Sequence, residues 1–383
     1  MKTINSFRSK LLALTLALMA SVSTFAYNFG DDGLFFNIID NDNKLVEVTY
    51  QHERSEKNYS NLTHVTIPDT VLRGRVKYAV VSIGSMAFYK CKTLESIVIP
   101  DHIKSIGTNA FSECSALTSV SLPNTITYLN SSLFSNCTAL RTFTIPDNIT
   151  SIYGSVFESC NSLSEINIPS SVTSIGKYAF RYCNSLKSIT IPNSVKSIYR
   201  GAFYKCKALT DITLPDSLTT VSQEMFYECT ALESITIPIG VTHIEHNAFY
   251  WCSNLKTMTL HANIEYIDEW AFNQTSISTY ILAMRSAEEA CTNRVNKILH
   301  DIGQQYSTRK ITINGEKVRD LVVPNTIDSI SDYAFAYSYI ASVNIPNNLK
   351  RINPTAFYKC PSLQSVHWNT LDFEEVDTNT NAP

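Results

Sequence analysis

Apolar positions recur along most of the chain at one fixed step. Phe88, Phe111, Phe134, Phe157, Phe180, Phe203, Phe226, Phe249 and Phe272 each stand 23 residues from the next, and Phe335 and Phe357 resume the series after a gap. Proline keeps the same step from Pro100 to Pro238, with Pro68 before the run and Pro324 and Pro346 after it. One copy of the unit has Ala179, Phe180, Cys183, Leu186, Ile189, Ile191, Pro192, Val195 and Ile198 at its fixed positions. The alternation of Ile189 and Ile191 predicts a short strand with both side chains on one face. The proline that follows has no N–H and a fixed φ, so it ends the strand and turns the chain. The next two apolar residues, such as Ile103 and Ile106, are three apart and predict a turn of α or 3₁₀ helix. The Ala-Phe pair then returns an aromatic wedge to the interior. A single coil of this length cannot bury its own apolar face, whereas stacked coils cover one another. The chain is therefore expected to be an α/β repeat solenoid of 23-residue coils with a parallel sheet on one face.

The segment Leu94-x-x-Ile97-x-Ile99-Pro100 and its copies, together with the recurring Ala-Phe-x-x-Cys, resemble the leucine-rich repeat family. The resemblance is to its BspA-type, Treponema pallidum-like subclass of bacterial and protist surface proteins. It covers about residues 65–283 and 311–370. It implies a leucine-rich solenoid, surface display, adhesion to extracellular matrix or host proteins, and aggregation between cells. The general leucine-rich pattern has Asn or Cys three residues after the second apolar strand position. Here His102, Thr125 and Asn148 fall there, so no asparagine ladder is expected.

The departures from the period divide the chain. Residues 1–26 read as a signal peptide: Lys2, Arg8 and Lys10 form a basic head, Leu11 to Ala20 is apolar, and Thr24-Phe25-Ala26 offers small residues for cleavage before Tyr27. That apolar core is too short for a helix across a bilayer core of about 30 Å. Residues 27–64 alternate as Leu34, Phe36, Ile38 and Leu45, Val46, Val48 and predict a β cap with a turn at Asp40–Asn43. The array runs over 65–283. Residues 284–310 break it, with Ala287, Cys291, Val295, Ile298 and Ile302 spaced along one helix face. This insert is either a docking arm or a cover for an irregularity. In 311–370, Ile311-Thr312-Ile313 followed by Asn314-Gly315 predicts a hairpin, and the repeat resumes at Asp320. Val366, Trp368, Leu371 and Phe373 are expected to cover the last coil, and 371–383 is a polar tail without an apolar anchor.

Composition narrows the classes. The chain is 44% hydrophobic and 17% charged, too apolar for an unfolded chain. Its net charge is -3, and loss of the three basic residues of the leader takes it to -6. A weakly acidic chain without a Lys/Arg run is not a nucleic-acid binder. Nine of the ten cysteines lie on the repeat and one, Cys291, does not. Thr275 and Ser338 fill the same slot in two coils, so the column reads as a small buried packing position of reduced thiols rather than a disulfide series. The 23-residue step places thiols in a line, which does not suit zinc. His243 and His246 lack the spacing of a metalloprotease pair and are expected in a surface loop. His261 replaces a repeat proline. No nucleophile elbow, P-loop or dinucleotide loop is present, so neither an enzyme nor a cofactor is expected.

The remaining candidate surface is the outward side of the strands. One column is Ser121, Thr144, Asn167, Thr190, Thr213, Thr236 and Thr259, and the column two residues earlier includes Glu165 and Asp211. Short hydroxyls with isolated acids suit shallow hydrogen bonding to a protein or glycan, although threonine also simply suits a pleated solvent face. Tyr89, Tyr204, Tyr227, Tyr250 and Tyr358 follow the wedge phenylalanine as a partial aromatic stripe, expected to pack coil against coil, with recognition as the alternative. Three functions stay open: a secreted or surface protein that binds host or matrix proteins, a glycan-binding nutrient-capture protein, and a spacer without a specific ligand.

Overall fold

The computed structural model describes residues 27–50, 59, 61–304 and 307–369. The leader with Ala26, and the tail with Leu371 and Phe373, lie outside the described residues. The chain winds as a solenoid whose coils stack in register, and most strands pair in parallel with the equivalent strand of a neighbouring coil, 23 residues away over the regular array. Thr142 thus pairs with Glu165, and Ser188 with Asp211.

The regular coils carry two parallel strands rather than one. The first is the expected strand, as in Ser188–Thr190, with Ile189 buried between exposed neighbours. The second lies where a helical turn was expected, as in Ser197–Ile198 and Ser174–Ile175, which pair with each other. The Val195 and Ile198 spacing that suggested a helix arises from a turn closed by the Val195 N–H on the Pro192 carbonyl at 3.0 Å, followed by an extended pair. The sheets therefore line two sides of the solenoid, and helices are few.

The third side is a turn segment with its own hydrogen-bond ladder. Tyr178, Phe180 and Tyr182 donate their N–H groups to the carbonyls of Arg200, Ala202 and Tyr204 in the next coil, at 3.0, 2.8 and 2.9 Å. The residues between them, Ala179 and Arg181, bond back within their own coil. This alternation requires two left-handed residues per coil, here Tyr178 at φ 57° and Tyr182 at φ 60°. A non-glycine residue in that region costs on the order of 1–3 kcal/mol, and the inter-coil bonds with the packing beneath them offset it. Gly201 occupies one such position at φ 60°, and the Tyr178 ring lies where its Cβ would stand, 2.3 Å from Tyr178 Cε1.

The interior is a stack of identical layers. Wedge phenylalanines from Phe88 to Phe249 are fully buried. Phe180 and Phe203 lie 5.5 Å apart at 2°, and Phe203 and Phe226 lie 5.7 Å apart at 6°. Beside them run the cysteines. No disulfide joins them; instead Cys206 Sγ donates to the carbonyl of Phe180, one coil back, at 3.1 Å, and the pattern repeats along the column.

The N-terminal cap is a hairpin of Leu34–Asp40 and Leu45–Thr49, preceded by Phe29–Asp31. The Asp40 carboxylate accepts the Asn43 N–H at 2.9 Å and shapes its turn. The cap joins the array through Val76–Ile83, a longer strand that pairs with Leu45–Thr49 on one edge and continues the second ladder at Ser105–Ile106 on the other. At the other end the last strand, Ser365–Trp368, leaves Val366 and Trp368 exposed.

The irregular region is one enlarged coil. Thr279–Met284 pairs in parallel with Thr308–Ile313, 29 residues on at Thr279 and Thr308, so the first ladder passes straight through the insert. Two short helices, α1 (Ala287–Thr292) and α2 (Val295–Asp301), stand in place of a second strand. They correct the single helix face expected there: the chain breaks at Asn293, whose side-chain amide donates to the carbonyls of Ala290 and Ala334. Where proline is replaced, at His261 and Ala283, the strands lengthen to Thr257–His261 and Thr279–Met284, because the ladder gains an N–H.

Candidate interaction face

The first strand of most regular coils has three residues, so two outward side chains flank one inward one. Ser121, Thr144, Glu165, Asn167, Thr190, Asp211, Thr213 and Thr236 are exposed, and Thr259 is half-buried. The register sets Thr144 beside Asn167, Thr190 beside Thr213, and Thr236 beside Thr259. Ser121 lies just beyond the short strand Ser119–Val120.

The ladder on this face is discontinuous. Thr142–Thr144 pairs with Glu165–Asn167, and Ser188–Thr190 with Asp211–Thr213, but no ladder joins the two pairs. A shallow depression of 420 Å³ crosses that gap, lined by Thr142, Thr144, Glu165, Asn167, Ser188 and Thr190. The structure therefore brings four of the expected face residues into one hollow. Asp211, Thr213, Thr236, Thr259 and Ser121 extend the columns to either side of it.

The tyrosine stripe packs coil against coil. Tyr204 and Tyr227 stack at 4.5 Å and 5°, and Tyr227 and Tyr250 at 5.0 Å and 15°. Their ring faces are covered by one another. Arg181 sits over Tyr178, Tyr182 and Tyr204 and pairs with Glu158 at 3.0 Å, while Lys205 pairs with Glu228 at 3.0 Å. This network ties coil to coil.

The histidines depart from expectation in two ways. His243 begins a second strand, His243–Ile244, rather than lying in a loop, because it pairs in parallel with Thr220 and Tyr266 of the neighbouring coils; His246 Nδ1 lies 3.0 Å from Asp268. His261 is buried in a strand rather than in a loop. Its Nε2 donates to the Pro238 carbonyl at 2.6 Å and its Nδ1 accepts the Asn263 N–H at 3.2 Å, the pattern of a neutral ring. Burial holds its pKa below the usual histidine value. Burial likewise raises the thiols, to about 12 for Cys206 and Cys252, which makes them poor nucleophiles.

A polar ladder occupies the position where no asparagine ladder was expected. Asn148 Nδ2, Ser171 Oγ and Ser217 Oγ donate to the carbonyls of Ile126, Ile149 and Val195 one coil back, at 2.6, 2.7 and 2.7 Å. The residue type varies while the bond is kept, so no single recurring residue marks this ladder in the sequence. Among the described residues no group of three or more His, Cys, Asp and Glu is placed to hold a metal ion, and no helix is long and apolar enough to cross a membrane.

These coils, with strands on two sides and phenylalanines stacked inside, define a repeat solenoid. The family model for the BspA type leucine-rich repeat region, in six copies, matches residues 54–187, 173–292 and 310–380. The chain belongs to the BspA-type leucine-rich repeat family. Among solved structures it is similar to a leucine-rich repeat protein from Bacteroides ovatus, at 23% identity over 89% of this chain and 94% of that one, with a TM-score of 0.45. It is also similar to the T. pallidum leucine-rich repeat protein, at 27% identity over 54% and 90%, with a TM-score of 0.44. The pneumococcal vaccine antigen PcpA matches at 15% identity over 90% and 98%, with a TM-score of 0.43. No curated protein matches the sequence.

Proposed function

We propose that the protein is exported, displayed at the cell surface, and binds an extracellular protein partner on the outward side of its first strands. The observation that carries this reading is the exposed double column of hydroxyls, amides and acids, with the depression at Thr144, Glu165, Asn167 and Thr190 at its centre. A solenoid face offers many shallow hydrogen bonds on a rigid frame, which suits a broad protein surface. The reading is non-enzymatic, with adhesion to host or matrix proteins as its specific form. Glycan capture on the tyrosine stripe is the weaker reading, because those ring faces are occupied by each other.

The test is a binding screen of the purified protein against immobilised matrix proteins and a glycan array. Saturable protein binding that falls in Glu165→Lys and Asp211→Lys supports the proposal. A glycan hit without a protein hit favours nutrient capture, and silence from a folded sample favours a spacer.

A further inference from the structure

Thr308–Ile313 turns back through Asn314 and Gly315, both left-handed, into Glu316–Lys317. The antiparallel register pairs Thr312 with Lys317, and the Val318 N–H bonds to the Ile311 carbonyl at 3.1 Å one step further along. Lys310 lies two residues before Thr312 on the first arm, and Arg319 lies two residues past Lys317, just beyond the paired residues. Like charges brought close together on a ribbon repel one another. Some cations of the chain face an acid in a neighbouring coil, as Arg181 faces Glu158, Arg200 faces Glu224 and Lys205 faces Glu228. Lys310, Lys317 and Arg319 are exposed, and their side chains make no hydrogen bond or ion pair among the described residues.

These three cations border a hollow of 330 Å³ that Tyr339 and Ser362 also line. Tyr339 is 50% exposed. Arg309 lines the same hollow and is fully buried, without a carboxylate, between the rings of Tyr280 and Tyr337 at 4.9 and 5.4 Å. Its terminal nitrogens donate to the Ser307 and Gln304 carbonyls, and its Nε has no partner. Burial lowers its pKa to about 10, so it keeps its charge at neutral pH. The acids of the ribbon, Glu316 and Asp320, do not line the hollow, and Asp320 accepts from Ser342 Oγ at 2.5 Å. Three exposed cations and no acid therefore border one hollow, with the buried Arg309 behind it, in a chain of net negative charge.

We propose that this hollow binds an anionic sugar residue bearing a carboxylate or sulfate. Lys310, Lys317 and Arg319 hold the anion and relieve their own repulsion in doing so. Tyr339 offers a ring face to the sugar, and the Ser362 hydroxyl a hydrogen bond. The hollow has the size of a small-ligand pocket and is bounded by the ribbon, which fits a compact ring better than an extended acidic peptide.

The experiment compares retention of the full protein on heparin, polygalacturonate, neutral dextran and polyglutamate. Binding to heparin or polygalacturonate but not dextran, weakened by added salt, is expected. Lys317→Gln and Arg319→Gln should each weaken it about ten-fold. Tyr339→Ala should weaken it without changing the salt dependence. Lys310→Gln should also weaken it, and a thermal midpoint of the ligand-free variant no lower than the parent's shows that the variant folds. Retention unaffected by the Lys317→Gln, Arg319→Gln double variant, or polyglutamate binding as tight as the saccharides and indifferent to Tyr339→Ala, would overturn the proposal.

Discussion

Single hydrogen bonds between coils make unequal contributions that single substitutions can separate. Ser171 Oγ donates to the Ile149 carbonyl at 2.7 Å, whereas Ser194 Oγ, at the equivalent position one coil on, is buried without a partner. Ser171→Ala should cost about 1 kcal/mol, while Ser194→Ala should be neutral or slightly stabilising. Urea unfolding of the two variants measures the difference, and equal effects would contradict the ladder. His261 gives a pH test. Its folded-state pKa lies below the unfolded value of about 6.5. The unfolded chain therefore takes up the proton first, and stability is full above that value and is lost as pH falls through the folded pKa. His261→Gln should show a smaller fall in urea midpoint between pH 7.5 and 5.5 than the parent, and parallel declines would refute the buried neutral ring.

Along the elements, the stacking of like residues sets the energetics. Phe203 is fully buried between Phe180 and Phe226, whereas Phe357 is half-buried in the last coil with one wedge neighbour, Phe335. Phe203→Ala should cost about 3–5 kcal/mol, and Phe357→Ala clearly less, as read by thermal or denaturant unfolding. The thiol column should react in full with an alkylating agent once the protein is unfolded without reductant, and mass measurement reads the result. Eight blocked cysteines would mean four disulfides and would contradict the column. The wedge, the first strand and the thiol slot were legible because each repeats as a residue type at a fixed step. The second strand was not, since Val195 and Ile198 keep a three-residue spacing that also fits a helical turn. The left-handed corners were hidden as well, because tyrosine, lysine, glutamate and serine hold them instead of glycine.

For the molecule as a whole, the outward strand columns could be assigned from alternation alone, because one inward isoleucine fixes both neighbours. The depression across Asn167 and Thr190 could not, since it depends on which successive strands keep their ladder. Nor could the basic hollow, which joins a hairpin to side chains from two later coils. The insert was legible as a break in the period, but its strand at Thr308–Ile313 was not seen to continue the ladder. The central claim is that the outward strand face is the ligand surface. The most direct measurement is equilibrium binding of the parent and the Glu165→Lys, Asp211→Lys double variant to a matrix protein that the parent binds saturably. The account predicts a loss of at least ten-fold with unchanged thermal stability. Unchanged affinity in a folded double variant would contradict it.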